Sequence, residues 1–191
     1  MRFTQEKAEE FRCPRWNELP GIPLYMDQVV FVLEESLAPF AEEDGHVVTA
    51  TMINNYVKQK VIVPPDGKRY RREQIATLVM VCLLKRVFSI SETIGLIGLI
   101  TENAPPEAAY DMFCAELDEA VGRSFAPGKP RAAGAQGFGA GEAGDAGRAA
   151  IAALTGKLFA QDIVLGWQER RRLAREQLAK DSKEKKTDGK K

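Results

Sequence analysis

Apolar positions along this 191-residue chain recur mostly at helical spacing. From Leu24 to Phe40, Val29, Val30, Leu33 and Leu37 fall on one face, with Asp27, Glu34 and Glu35 outward. That spacing predicts an amphipathic helix. An acidic turn over Ala41–Gly45 follows. Thr49 is placed to cap a short helix that runs to Gln59, because its hydroxyl can accept an otherwise orphaned N–H of the first turn. Pro64-Pro65 cannot continue a helix, and Asp66-Gly67 favours a turn. Val61–Val63 and Arg69–Tyr70 flank that turn and are expected to pair as a small β-hairpin. Gln74–Phe88 then reads as a helix apolar nearly all round, as expected of a helix packed between other layers. Ser89 and Glu92 have capping-box spacing and open a helix over Glu92–Ile100. After Pro105-Pro106, Glu107–Val121 is amphipathic, with Tyr110, Phe113, Leu117 and Val121 on one face.

Composition changes the picture further on. Residues 126–148 are rich in Gly, Ala and Pro and read as a flexible linker. A last helix is expected over 149–179, with apolar Ile151, Leu154, Leu158, Ile163 and Leu165. The Lys-rich residues 180–191 read as a disordered tail. Residues 1–18 form an N-terminal extension, leaving 19–125 as the principal domain. The fold class expected is mainly α with one small hairpin.

Lys+Arg and Asp+Glu both total 27, so net charge excludes no partner. Its distribution is more informative. Met1–His46 holds ten acidic against four basic residues, Val57–Arg72 holds six basic against one acidic, and Arg170–Lys191 holds ten basic against four acidic. The three cysteines, Cys13, Cys82 and Cys114, are odd in number, and none stands in a CxxC motif. The expectation is reduced thiols rather than a disulfide framework or zinc site. The polar start MRFTQEKAEEF is no signal peptide. The longest apolar run, Ile75–Leu84, is about half a bilayer crossing. A cytoplasmic protein with no membrane association is expected.

The chemistry concentrates in Thr51–Arg72. In the short helix, Met52, Ile53, Tyr56 and Val57 share the inner side, while Asn54, Asn55, Lys58 and Gln59 face outward. Adjacent asparagines cost helix propensity with no packing gain, which points to a use outside stability. A supported exposed helix followed by a basic turn is the order of a helix-turn-helix reader with a wing. A major groove admits one α-helix, and Asn or Gln can pair bidentately with adenine. Lysine and arginine on a turn neutralise phosphates.

The run TATMINNYVKQKVIVPPDGKRYRREQIATL resembles the winged helix of mercury-resistance-type (MerR-like) transcriptional regulators. Thr49 stands at the cap, Asn54-Asn55-Tyr56 at the Arg-Tyr-Tyr position, Lys60-Val61 at the Gly-Leu position and Lys68-Arg69-Tyr70 at the wing. The segments LPGIPLYMDQVV, TMINNYVKQK, PPDGKRY and LLKRVFSI more closely resemble a bacterial family of uncharacterised proteins assigned this fold, over about Leu19–Val121. The resemblance implies a sequence-specific regulator of double-stranded DNA, with no cofactor and no enzymatic step. The contact residues expected are Thr51, Asn54, Asn55, Tyr56, Lys58, Gln59, Lys68, Arg69, Tyr70, Arg71 and Arg72. Two half-sites imply a homodimer, joined through the Tyr110–Val121 face and the last helix.

The chain departs from the MerR pattern at three points. Asn54 and Asn55 replace Arg and Tyr, so a different base sequence would be read. Lys60 stands where glycine ends the helix, at a cost of roughly 1 kcal/mol if it turns left-handed. Arg71 replaces a Ser cap and sets a positive charge at a helix N-terminus, disfavoured by about 0.3–1 kcal/mol. Tyr56 also suits a core position. His46, the single histidine, is best read as a turn residue, and no partner for metal or triad chemistry accompanies it. GFGAGEAG has the glycines of a phosphate loop but follows no expected strand. Two rival functions stand beside DNA reading: a protein-interaction module on the same scaffold, and non-specific nucleic-acid binding through the basic tail.

Overall fold

The computed structural model describes residues 3–41, 45–102, 104–125 and 137–188. It is mainly helical: α1 (Gln5–Glu10), α2 (Met26–Ser36), α3 (Ala50–Lys58), α4 (Arg72–Leu84), α5 (Ile90–Thr101), α6 (Pro106–Phe125) and α7 (Glu142–Asp188), with short 3-10 turns at Trp16–Glu18 and Ala38–Phe40.

The apolar α4 is the central pillar. It packs against α2, α5, α6 and α7, so Ile75, Ala76 and Leu78–Leu84 are all buried. A helix can be apolar all round only when neighbours cover every side. α3 packs on α2. Glu34 of α2 accepts the N–H groups of Val47 and Val48, both at 3.0 Å, and so fixes the approach to α3.

Among the described residues there is no β-strand, and the expected hairpin is corrected to a bare turn. Asp66 and Arg69 exchange both backbone hydrogen bonds, at 3.1 and 2.9 Å. Gly67 (φ 53°) and Lys68 (φ 65°) are both left-handed between them, as a type I′ turn requires. The next hydrogen-bonded rung would need an N–H from position 64, and proline has none. Tyr70 pairs with Leu24 instead, at 2.8 and 2.9 Å.

The N-terminal extension belongs to the core. Phe3, Phe11 and Phe40 form an aromatic cluster that also takes in Phe125 of α6. The α6 face expected to join subunits is corrected too. Tyr110, Phe113, Leu117 and Val121 are fully buried within one chain, because α1, α4, α5 and α7 pack on α6.

The segment read as linker up to residue 148 is already helical from Glu142. Alanine favours helix, and two glycines let the preceding chain fold back onto it. A Cβ on Gly144 would meet the Gly139 carbonyl oxygen at 1.9 Å, and one on Gly147 would meet the Phe138 ring at 2.5 Å. Arg148 secures this return by donating to the carbonyls of Phe138 (2.8 Å) and Gly139 (3.0 Å). The helical backbone continues through Asp188 into the segment expected to be a disordered tail. Residues 126–136, 189–191 and the acidic 42–44 lie outside the described residues.

Candidate nucleic-acid interface

α3 opens as its sequence suggests. Thr49 Oγ1 accepts from the Met52 N–H at 3.2 Å. Ile53 and Tyr56 are buried, Met52 and Val57 half-buried, and Thr51, Asn54, Asn55, Lys58 and Gln59 exposed. The helix and its C-cap therefore present three amides and an ammonium outward from an apolar seat.

Its C-terminal end carries strain. The Val61 N–H donates to the Tyr56 carbonyl at 2.9 Å and the Lys60 N–H to that of Val57 at 3.1 Å. This is the Schellman arrangement, normally built with glycine at the left-handed position. Here that residue is Lys60, with φ 58°. Lys60 and Lys68 are the only non-glycine residues with positive φ among those described. Both are exposed. Among the described residues no carboxylate pairs with Lys58, Lys60 or Lys68.

The turn is braced from two sides. Gln74 Oε1 accepts from the Arg71 N–H at 2.7 Å, while its Nε2 donates to the carbonyls of Val63 (2.8 Å) and Pro64 (3.0 Å). One side chain thus caps α4 and holds the strained segment against it. This is the N3 half of a capping box, with Gln74 satisfying the Arg71 N–H while the arginine head makes no cap of its own. On the other side, Arg69 Nη2 donates to Tyr25 Oη at 2.8 Å, with its guanidinium carbon 4.8 Å from the ring centroid. Arg71 pairs with Asp66 at 2.9 Å, both side chains mostly in solvent. Such a pair contributes about 0–1 kcal/mol, so a phosphate could replace Asp66 at little cost.

Three expected contact residues play other parts. Tyr56 and Tyr70 are buried and belong to the core. Burial pushes the Tyr70 hydroxyl above its ordinary range, so it stays protonated at neutral pH. Arg72 is half-buried and turned to the N-terminal segment, 3.4 Å from Asn17 Oδ1 and 5.8 Å from the Trp16 ring centroid. The eight residues Thr51, Asn54, Asn55, Lys58, Gln59, Lys68, Arg69 and Arg71 remain on the surface. The sequence reading passed over Gln74 and Tyr25 as site residues. Gln74 had a legible signal, standing three residues after a helix start as in a capping box, whereas Tyr25 is far from Arg69 in the chain.

Among the described residues no cluster of three His, Cys, Asp or Glu side chains could hold a metal ion. Glu142–Gln177 is long and apolar enough, by length and composition, to cross a membrane. Its proximal residues Ala150, Ile151, Leu154 and Leu158 are buried in the fold. Distally, Ile163, Val164 and Trp167 are about half exposed.

No curated protein and no solved structure matches the chain. A family profile described as a domain of unknown function does match, over residues 14–113. That match takes in α2 to α5 with the turn and ends within α6, covering more than half of the 191 residues. The chain belongs to the family of domains of unknown function designated DUF1836.

Proposed function

We propose that this protein is a sequence-specific DNA-binding protein, a transcriptional regulator of MerR-like winged-helix type. In this reading α3 enters the major groove, where Asn54, Asn55 and Gln59 read base edges. Lys58, Lys60, Lys68, Arg69 and Arg71 meet phosphates along the α3 end and the turn. The observation that carries it is the placing of lysine at both left-handed non-glycine positions, Lys60 and Lys68. Each costs stability that glycine would spare, and strain of this kind gathers where function needs it. The unpaired ammonium groups beside exposed asparagines give that strain a use.

Two half-sites are read by a homodimer. With the Tyr110–Val121 face buried inside the protomer, the surface assigned here to pairing is distal α7, around the exposed Ile163, Val164, Trp167 and Leu173. No cofactor or catalytic step enters this reading.

The test is DNA selection from a random library at about physiological salt, using wild type and Asn55→Ala/Arg69→Ala. A motif that appears with wild type and fades with the double variant supports the proposal. No enrichment by folded wild-type protein would refute direct readout.

A protein partner is the second reading. Ile22 (72% exposed), Tyr25 and Val63 (73% exposed) are apolar side chains on segments joined to the turn. Salt separates the two. Phosphate contacts make binding fall steeply, by a slope of about −0.9 in log K against log salt per phosphate. An apolar contact responds weakly.

A further inference from the structure

Cys13 and Cys114 are 101 residues apart in sequence, yet their sulfurs lie 3.0 Å from each other. Both are fully buried. Two α6 carboxylates hold Cys13 there. Asp118 Oδ1 accepts from the Cys13 N–H at 2.8 Å, and Oδ2 accepts from Arg15 Nη2 at 2.7 Å. Arg15 Nη1 donates in turn to the Cys13 carbonyl at 2.9 Å. Asp111 accepts the Trp16 N–H at 2.7 Å. Cys114 is anchored by α6 itself. The Tyr110 hydroxyl, one α6 turn back, is buried beside both sulfurs.

A disulfide has S–S near 2.05 Å, so bond formation asks roughly 1 Å of movement from sulfurs 3.0 Å apart. The two cysteines also bracket the matched domain, residues 14–113. We propose that Cys13 and Cys114 are a reversible dithiol–disulfide site, oxidised by small-molecule disulfides, that closes the family-matched segment, residues 14–113, into one covalent loop.

The exchange balances. A Cys13 thiolate attacks one sulfur of glutathione disulfide and expels one glutathione. The Cys114 thiolate then attacks Cys13 Sγ in the mixed disulfide and expels the second. The protein loses two electrons and two protons, and glutathione disulfide becomes two thiols. Burial, with the neighbouring Cys114 sulfur, pushes the Cys13 thiol well above its ordinary range. Attack therefore awaits local opening of the N-terminal segment, and the closed fold resists casual oxidation. Cys82, buried in α4, lies outside this pair.

The test equilibrates the full chain with glutathione disulfide, unfolds it in a thiol-alkylating denaturant, and maps the peptides. One alkylated thiol at Cys82, a Cys13–Cys114 peptide and a mass lower by two hydrogens are expected. The melting temperature should rise by roughly 10 °C, from closure of a loop of about 100 residues. Cys13→Ala and Cys114→Ala should each lose that rise. Peptide mapping of wild type stands even if a variant folds poorly. Three alkylated thiols after equilibration, a stable glutathione adduct on Cys13, or pairing through Cys82 would each overturn the proposal.

Discussion

Lys60 offers the sharpest test, because stability and binding should move in opposite directions. Its φ of 58° lies in the left-handed region, where a β-carbon crowds the following carbonyl at a cost of roughly 1–2 kcal/mol. Glycine removes that crowding but adds chain entropy to the unfolded state, worth about 0.4–1 kcal/mol. The net expectation for Lys60→Gly is a gain of about 0.5–1 kcal/mol. The two backbone bonds of the helix end, Val61 to Tyr56 and Lys60 to Val57, survive because they involve no side chain. Lys60→Ala is the matched control, since it removes the same charge but keeps the β-carbon. Urea unfolding of the three proteins should place Gly above wild type, with Ala within about 0.5 kcal/mol of wild type. In DNA titrations Gly and Ala should weaken equally, each lowering the salt slope by about 0.9 if Lys60 meets one phosphate. Equal stability of the Gly and Ala variants would refute the strain argument. Unchanged DNA affinity in both would refute a phosphate role for Lys60.

Gln74→Ala should destabilise by about 1–3 kcal/mol, since it frees the Arg71 N–H and the carbonyls of Val63 and Pro64 together; amide exchange at Arg69 and Tyr70 should quicken. Hydrogen bonds from the Ser89 hydroxyl and backbone hold the Glu92 carboxyl below its ordinary value. A depressed carboxylate contributes stability that is present above its unfolded pKa and lost as pH falls through the folded one; Ser89→Ala should raise the Glu92 midpoint in an NMR titration and shrink that acid-side loss. Ile163→Glu with Trp167→Glu should leave melting nearly unchanged, since both side chains are about half exposed, while sedimentation shifts from dimer to monomer; a wild type that sediments as a monomer at all concentrations would refute pairing through α7.

The chain's own pattern was enough for α2 to α6 and the inward and outward sides of α3, because both follow from residue spacing; α1, within the stretch expected to be an extension, was not legible. Thr49 as a cap, Ser89 with Glu92, and the all-round burial of α4 were legible for the same local reason. The rest depended on distant partners. The hairpin looked plausible from the β-branched residues around the turn, but Pro64 lacks the N–H for the next rung, and Tyr70 pairs with Leu24, far back in sequence. The face of α6 looked free because no sequence pattern shows that α1 and α7 cover it. The Gly/Ala tract looked like a linker because small residues are read locally as flexibility, whereas Gly144 and Gly147 are small so that Phe138 and Gly139 can pack on α7. Cys13 and Cys114 looked unrelated for the same reason: their separation in the chain is large, and only the clamp of Asp118 and Asp111 onto the N-terminal segment brings their sulfurs together. Periodicity and capping are local chemistry and can be read from one strand of text. Which faces are covered, which glycines are crowded and which thiols meet are decided by tertiary packing, because each depends on residues many positions away.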